Sequence, residues 1–573
     1  MCRKLTITCC LFFLSVYLCQ AQSWQWGRRG GSTDNTISVG HQPDESVVDM
    51  ATDQRGNLYV LSIVMQTSLD VDGHTIAGYG DHDILISSFK CDGTYRWSKD
   101  MGSAPTDIGM ALKIDTLGGV YITGSMVAYT GDNEYISTDT SWINTTYQFN
   151  FLAKFDTAGN YKWIRFPEPD TTGLYSIART GFVDMDVDGA GNIYLLGALA
   201  PGAYANGAYV VTTQGYYILH YDKNGNFING NPMQITTSTS VAALLRMKKD
   251  FKNGRYYVAG PYPSSGTLSF ATTTITHTLF VGCFSNTGTL LWKKEDAILA
   301  LGGSFARPSV DAQGGIYLIG AIAVGNNFNG YIPANPYSSS TIGMPFIVKL
   351  DSNGNNVWAK NAYTTGNCPG SAITLNGEEV DVSGYYGGHF KWPGSDSLFL
   401  TSGASTFIAR FNKTSGTTLG IDSLASSPGS YIYSTAMTSD RYGNFYLGGK
   451  FPGTLYVHTD VLNSIGGDTD FFIAKYGTGN CTIPTSLAAT QPIAEDKEIV
   501  RIYPNPATDE LTITGLLQSK TYRISSITGI TLQQGELRAG SNSLSMRNVI
   551  PGIYILEMTG SNGERNIVRV VKQ

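Results

Sequence analysis

The residues best placed for chemistry lie at Asp184-Met185-Asp186-Val187-Asp188-Gly189, three carboxylates at alternate positions ahead of a glycine. This spacing delivers oxygen ligands to a calcium ion, the one cofactor the sequence suggests. An EF-hand loop would also place a Glu at its twelfth position, where Leu195 stands. The same aspartates have a second reading as structural turn residues, because Asp binds the backbone amides that follow it. No histidine pair has zinc-protease spacing and no GxSxG elbow occurs, so no catalytic residue is assigned. Tyr216-Tyr217, Tyr385-Tyr386 and Trp392 offer faces that stack on sugars, and equally the bulk that fills a core.

Asp188 belongs to a series that shows what must position these groups. Asp53, Asp115, Asp188, Asp311 and Asp440 each open a Gly-bearing turn that leads to Tyr59, Tyr121, Tyr194, Tyr317 and Tyr446. Tyr257 follows the same way from Asp250, and Asp381 holds the tyrosine's place in a decayed copy. These positions recur about every 60 to 73 residues. A second apolar strand and turn follow each copy, and Trp97, Trp163, Trp292 and Trp358 recur just beyond, where an aromatic would pack unit against unit. The residue before the closing aromatic of that strand is Ser88, Lys154, His220, Cys283, Lys349, Arg410 or Lys475, which reads as a solvated strand end.

Each unit therefore carries four strands, and four-stranded units repeated radially make a propeller. The expected fold class is all-β: a seven-bladed β-propeller over residues 22–480, followed by a small Ig-like β-sandwich over 499–573. The last copy ends on its third strand, and Ser23-Trp24-Gln25-Trp26 supplies the missing fourth, with Trp26 in the recurrent tryptophan position. The Asp-x-x-Gly-Asn-x-Tyr-x-x-Gly copies resemble the SBBP-type propeller repeats of secreted bacterial proteins, a resemblance that implies a fold and is silent on function.

Composition agrees with export. Arg3 and Lys4 precede an apolar run from Leu5 to Leu18, and cleavage between Ala21 and Gln22 would leave a mature chain with no transmembrane segment. Glycine makes up 66 of 573 residues and charged residues only 15%, with a net charge of −6, which fits turn-rich β structure and argues against nucleic acid as a partner. Four of the eight cysteines leave with the signal. Of the rest, Cys368 and Cys481 each follow Gly-Asn in a loop and suggest one surface disulfide.

Residues 481–498 read as a polar linker. Beyond it, Tyr503-Pro504-Asn505-Pro506-Ala507, Pro551-Gly552-Ile553-Tyr554 and a closing strand through Lys572 closely resemble the C-terminal sorting domain of type IX secretion in Bacteroidetes, the Por secretion tail. The resemblance implies passage across the outer membrane, with the secretion machinery as a partner. Sequence thus predicts an exported, surface-attached propeller that recognises an unknown glycan or extracellular protein without catalysis. Two rivals stand beside it: a polysaccharide lyase or glycoside hydrolase with acids at the central funnel, and a structural surface component.

Overall fold

The computed structural model describes residues 22–573 apart from 34–44, 66, 105, 128–132, 137–139, 144–148, 168–180, 238–244, 263–265, 297–303, 339–341, 466–468, 480, 482–500, 517–518, 527–529 and 561–564. The signal segment with Ala21 and nearly all of the linker lie outside the described residues. Every element among the described residues is a β-strand, as the composition predicts. No helix there is long and apolar enough to cross a membrane. The chain divides into two compact units, Met1–Thr482 and Ile483–Gln573.

The repeat's turn chemistry builds the first unit. Asp53 Oδ1 accepts the amides of Arg55 and Asn57, while Oδ2 accepts Asn57 Nδ2 and the Tyr59 hydroxyl. Gly56 supplies the positive φ of 76° that closes this turn. Asp115, Asp311 and Asp440 hold Tyr121, Tyr317 and Tyr446 in the same manner. One side chain thus fixes a turn and anchors a buried aromatic on the next strand.

The strands so joined make seven antiparallel sheets, five of four strands and two extended to six by an added hairpin. Their first strands are Ser46–Thr52, Ile108–Ile114, Gly181–Val187, Arg246–Asp250, Ser309–Val310, Gly370–Asn376 and Tyr433–Ser439. Each of these neighbours the first strand of the next sheet, and the seventh neighbours the first. Six sheets are consecutive in sequence. The seventh takes its fourth strand from Ser23–Ser32, which pairs antiparallel with Thr469–Gly477, as expected from the truncated last copy. Apolar clusters fill the spaces between successive sheets; one of them unites Trp26, Val47, Leu58, Tyr446 and Phe471 from both ends of the unit.

The second unit has a three-stranded and a four-stranded antiparallel sheet. Leu511 and Ile513 of the first share one buried core with Ile524, Leu556 and Val570 of the second.

Candidate functional site

The first strands of the seven sheets carry a chain of charges that sequence spacing does not reveal. Arg307, just ahead of the fifth sheet, donates from Nη1 to Asp49 Oδ1 of the first sheet at 2.9 Å. Its Nη2 and Nε donate to Asp184 of the third sheet at 2.6 and 2.9 Å. Lys113 of the second sheet adds a 2.6 Å bond to Asp49, and Lys248 of the fourth pairs with Asp186 at 2.9 Å. Arg246 donates to the carbonyls of Val183 and Met110. Burial would raise the Asp49 and Asp184 carboxyls, but the cations, Arg307 foremost, overcome it and hold both below the usual carboxylate range.

This geometry gives the calcium candidate a different occupation. Asp184 is taken by Arg307 and the Met247 amide, Asp186 by Lys248 and the Lys249 amide, and Asp188 by its own turn through Ala190 and Asn192. The three carboxylates enter three separate networks, and among the described residues no group of three His, Cys, Asp or Glu side chains is arranged to hold a metal ion. Asp49 and Asp184 are equivalent positions in the repeat, a relation visible in the sequence; Arg307 has no such marker.

A second constellation binds sheet to sheet. The Trp97 indole donates to the Thr157 carbonyl in the second turn of the next sheet, and Trp163, Trp292 and Trp358 repeat this on Lys223, Ser352 and Lys413. Trp26 donates to Cys91 across the seam between the seventh sheet and the first. The expected aromatic packing is therefore also a hydrogen-bond latch. The basic residues read as solvated strand ends belong to it as well. Lys154, Lys349 and Lys475 donate to the same carbonyls of Lys223, Lys413 and Cys91, and the first two lie over the rings of Tyr121 and Tyr317. Each turn leaves no room beneath its tryptophan: a β-carbon on Gly159, whose φ is +84°, would come within 2.7 Å of the Trp97 ring.

The cysteine expectation is corrected at the same seam. Cys481 is bonded to Cys91 with their α-carbons 5.6 Å apart, whereas Cys368 is a free, buried thiol beside the Thr364 hydroxyl. Contact between the seventh and first sheets brings the two cysteines together, so the partner is a residue 390 positions away.

The sugar-stacking candidates divide. Trp392, Tyr216, Tyr217 and Tyr386 are buried and belong to the core. Tyr385 meets Tyr433 edge-on at 4.7 Å, and Tyr433 stacks with Tyr431, which is 52% exposed. A nearby insertion presents His389 and the 56% exposed Phe399. A cavity of about 390 Å³ between the second and third sheets is lined by Ile164, Arg165, Phe166, Tyr221 and Phe227 among others, with no carboxylate.

In the second unit the sorting motif is a stitched assembly. Asn505 Nδ2 donates to the Arg569 carbonyl at 2.8 Å and its Oδ1 accepts the Val571 amide at 2.9 Å, so the Pro-Asn-Pro turn adds to the last strand. Gly552 lies opposite Lys572 and Tyr554 opposite Val570, while the Tyr554 hydroxyl donates to Ile550. Tyr503 stays half exposed beside the turn. Asn505→Ala is expected to cost this unit about 1–3 kcal/mol through the two lost bonds, measured as an earlier urea midpoint for the unit.

A small terminal two-sheet unit closed by this turn has the build of a secretion sorting domain. Residues 501–573 match the family described as secretion system C-terminal sorting domain, and the chain is accordingly delivered by the type IX system to the cell surface or extracellular space. No curated protein matches the chain. Among solved structures, the polysaccharide lyase Uly1 is 9% identical over 77% of this chain and 91% of its own, with a TM-score of 0.38. PorZ, a surface component of the type IX secretion system of Porphyromonas gingivalis, is 12% identical over 92% and 81%, with a TM-score of 0.18. A protein of unknown function from Dyadobacter fermentans is 12% identical over 65% and 95%, with a TM-score of 0.33. At these values the likenesses carry no information about activity.

Proposed function

We propose that the first unit is a seven-bladed propeller of SBBP type acting as a non-catalytic recognition or adhesion module, carried to the surface by an Ig-like sorting sandwich. Closure of the ring is supported by Arg307, since one side chain joins the first, third and fifth sheets only if their first strands face a common centre. The observation that carries the functional reading is the state of the carboxylates. At the centre, Asp49 and Asp184 are each bound to a cation and held below the usual carboxylate range, so neither is a proton donor near neutral pH. Glu45 and Asp470 are raised but only 2% and 1% exposed; Glu45 faces backbone amides and Asp470 is paired with Arg29. A glycosidase or lyase needs an acid or base that touches substrate.

Exposed aromatics at Tyr431 and Phe399, with the partly buried Tyr433 beside Tyr431, give the binding reading a place to be tested. Full-length protein on arrays of glycans and extracellular proteins is expected to retain a ligand, and Tyr431→Ala with Phe399→Ala to weaken that retention several-fold. Absence of any retention across both arrays would favour a structural surface role.

A further inference from the structure

Two neighbouring junctions are built on one plan and differ in the charges at two positions. Between the seventh and first sheets, Glu45 accepts the amides of Ser32 and Met65. Between the first and second, Asp107 accepts those of Ser103 and Val127. Gly31 and Gly102 lie at matching points, where an added β-carbon would fall 2.1 Å from Glu45 Oε2 and 2.2 Å from Asp83 Oδ1. Strand register makes Arg29 the counterpart of Asp100, and Asp470 that of Asp83: Arg29 lies opposite Phe472, Asp100 opposite Leu85.

At the first junction Arg29 neutralises Asp470 at 3.0 Å and Asp70 at 2.8 Å. At the second, Tyr135 stands in the place of Asp70, and Asp100 puts a carboxyl where the guanidinium would be. Asp83 and Asp100 make no ion pair with lysine or arginine among the described residues. Asp83 Oδ2 accepts the amides of Tyr79 and Gly80, but Asp83 Oδ1 and both Asp100 oxygens are buried without a donor. Two ionised carboxylates packed this way would leave three oxygens unsatisfied and repelling. One proton shared between them removes both costs.

We propose that Asp83 and Asp100 share a proton, Asp100 donating to Asp83, and that this proton takes the place of the missing guanidinium and makes the junction between the first and second sheets pH-sensitive. Burial, reinforced by Asp83 and Asp107, holds Asp100 well above the usual carboxylate range. Burial raises Asp83 to about 6, with Asp81 adding to the rise. The other groups facing the pair are His82, 3.5 Å from Asp81, and the phenols of Tyr79 and Tyr135, stacked at 4.5 Å. A carboxyl raised in the folded state contributes stability that is full below its unfolded value of about 4 and is lost as pH rises through its folded value. For this pair the loss begins above about 4, is complete for Asp83 as pH passes about 6, and continues upward as the proton on Asp100 departs.

The test compares melting temperatures of full-length wild type, Asp100→Asn and Asp100→Arg from about pH 5 to about pH 9. The amide of Asn donates permanently to Asp83, and Arg restores the Arg29 arrangement. Wild type is expected to lose stability relative to both variants as pH rises. Parallel curves for wild type and whichever variant folds would overturn the proposal. So would a calcium-dependent rise in wild-type melting that Asp100→Asn abolishes, because it would put a metal ion in the proton's place.

Discussion

Arg307→Ala is expected to be the most damaging single substitution in the first unit, costing about 3–5 kcal/mol and moving the urea midpoint accordingly. The Asp184 side chain is fully buried and Asp49 nearly so, and Arg307 is the one cation that bonds both. Truncating it leaves Asp184 with backbone partners alone and Asp49 with Lys113 and the Leu112 amide. A buried carboxylate stripped of its cation costs more than the pair contributed, so the loss exceeds that of any rim salt bridge. Against a total stability of about 5–15 kcal/mol, this is a fifth or more of the reserve of an ordinary domain. The sign with pH is also fixed. Asp49 and Asp184 are depressed in the folded state, so their contribution is present above the unfolded value of about 4 and is lost as pH falls through the folded values. In Arg307→Ala that acid limb should shrink, because the shift that produces it is gone.

Trp26→Ala is expected to cost about 3–5 kcal/mol and to open the ring at its seam. Trp26 is buried, packs 5.9 Å from Tyr446 and closes a buried bond to the Cys91 carbonyl. Gly93 is pressed against its ring, so no neighbouring side chain can swing in to fill the space. The equivalent Trp163 makes its bond in a more exposed setting at 3.3 Å, and Trp163→Ala should cost visibly less in the same denaturation series. The Cys91–Cys481 disulfide lies beside the Trp26 latch, and Lys475 donates to Cys91 there. Reduction of the disulfide should therefore add to the loss in Trp26→Ala less than its effect on wild type, since both act on one seam.

Much of the framework was legible because each repeat states its own local physics. Asp53 to Tyr59 is a turn, a cap and an anchor within seven residues, and the pattern recurs at fixed spacing. The strand Ser23–Ser32 was legible for the same reason, as the missing fourth member of the last copy. The sorting turn was legible from Asn505 and its flanking prolines. What stayed hidden depends on closure. Arg307 meets residues 258 and 123 positions away, and nothing in its flanking sequence marks it. Cys481 was given the wrong partner because Cys368 and Cys481 share a local motif, while the ring brings up Cys91. The spacing of Asp184, Asp186 and Asp188 looked like a calcium loop because sequence cannot show that Arg307 and Lys248 have already taken the first two. The pairing of Asp83 with Asp100 was equally invisible, because it shows only when the first sheet is compared with the junction where Arg29 stands in place of Asp100.

The central claim is that the exported chain binds without cleaving, and the most direct measurement is the chain length of polysaccharides incubated with, and retained by, the full-length protein. Retained polymer of unchanged length, with no new chain ends formed, is the predicted result. Progressive shortening that disappears on substituting a carboxylate of the first unit would contradict it.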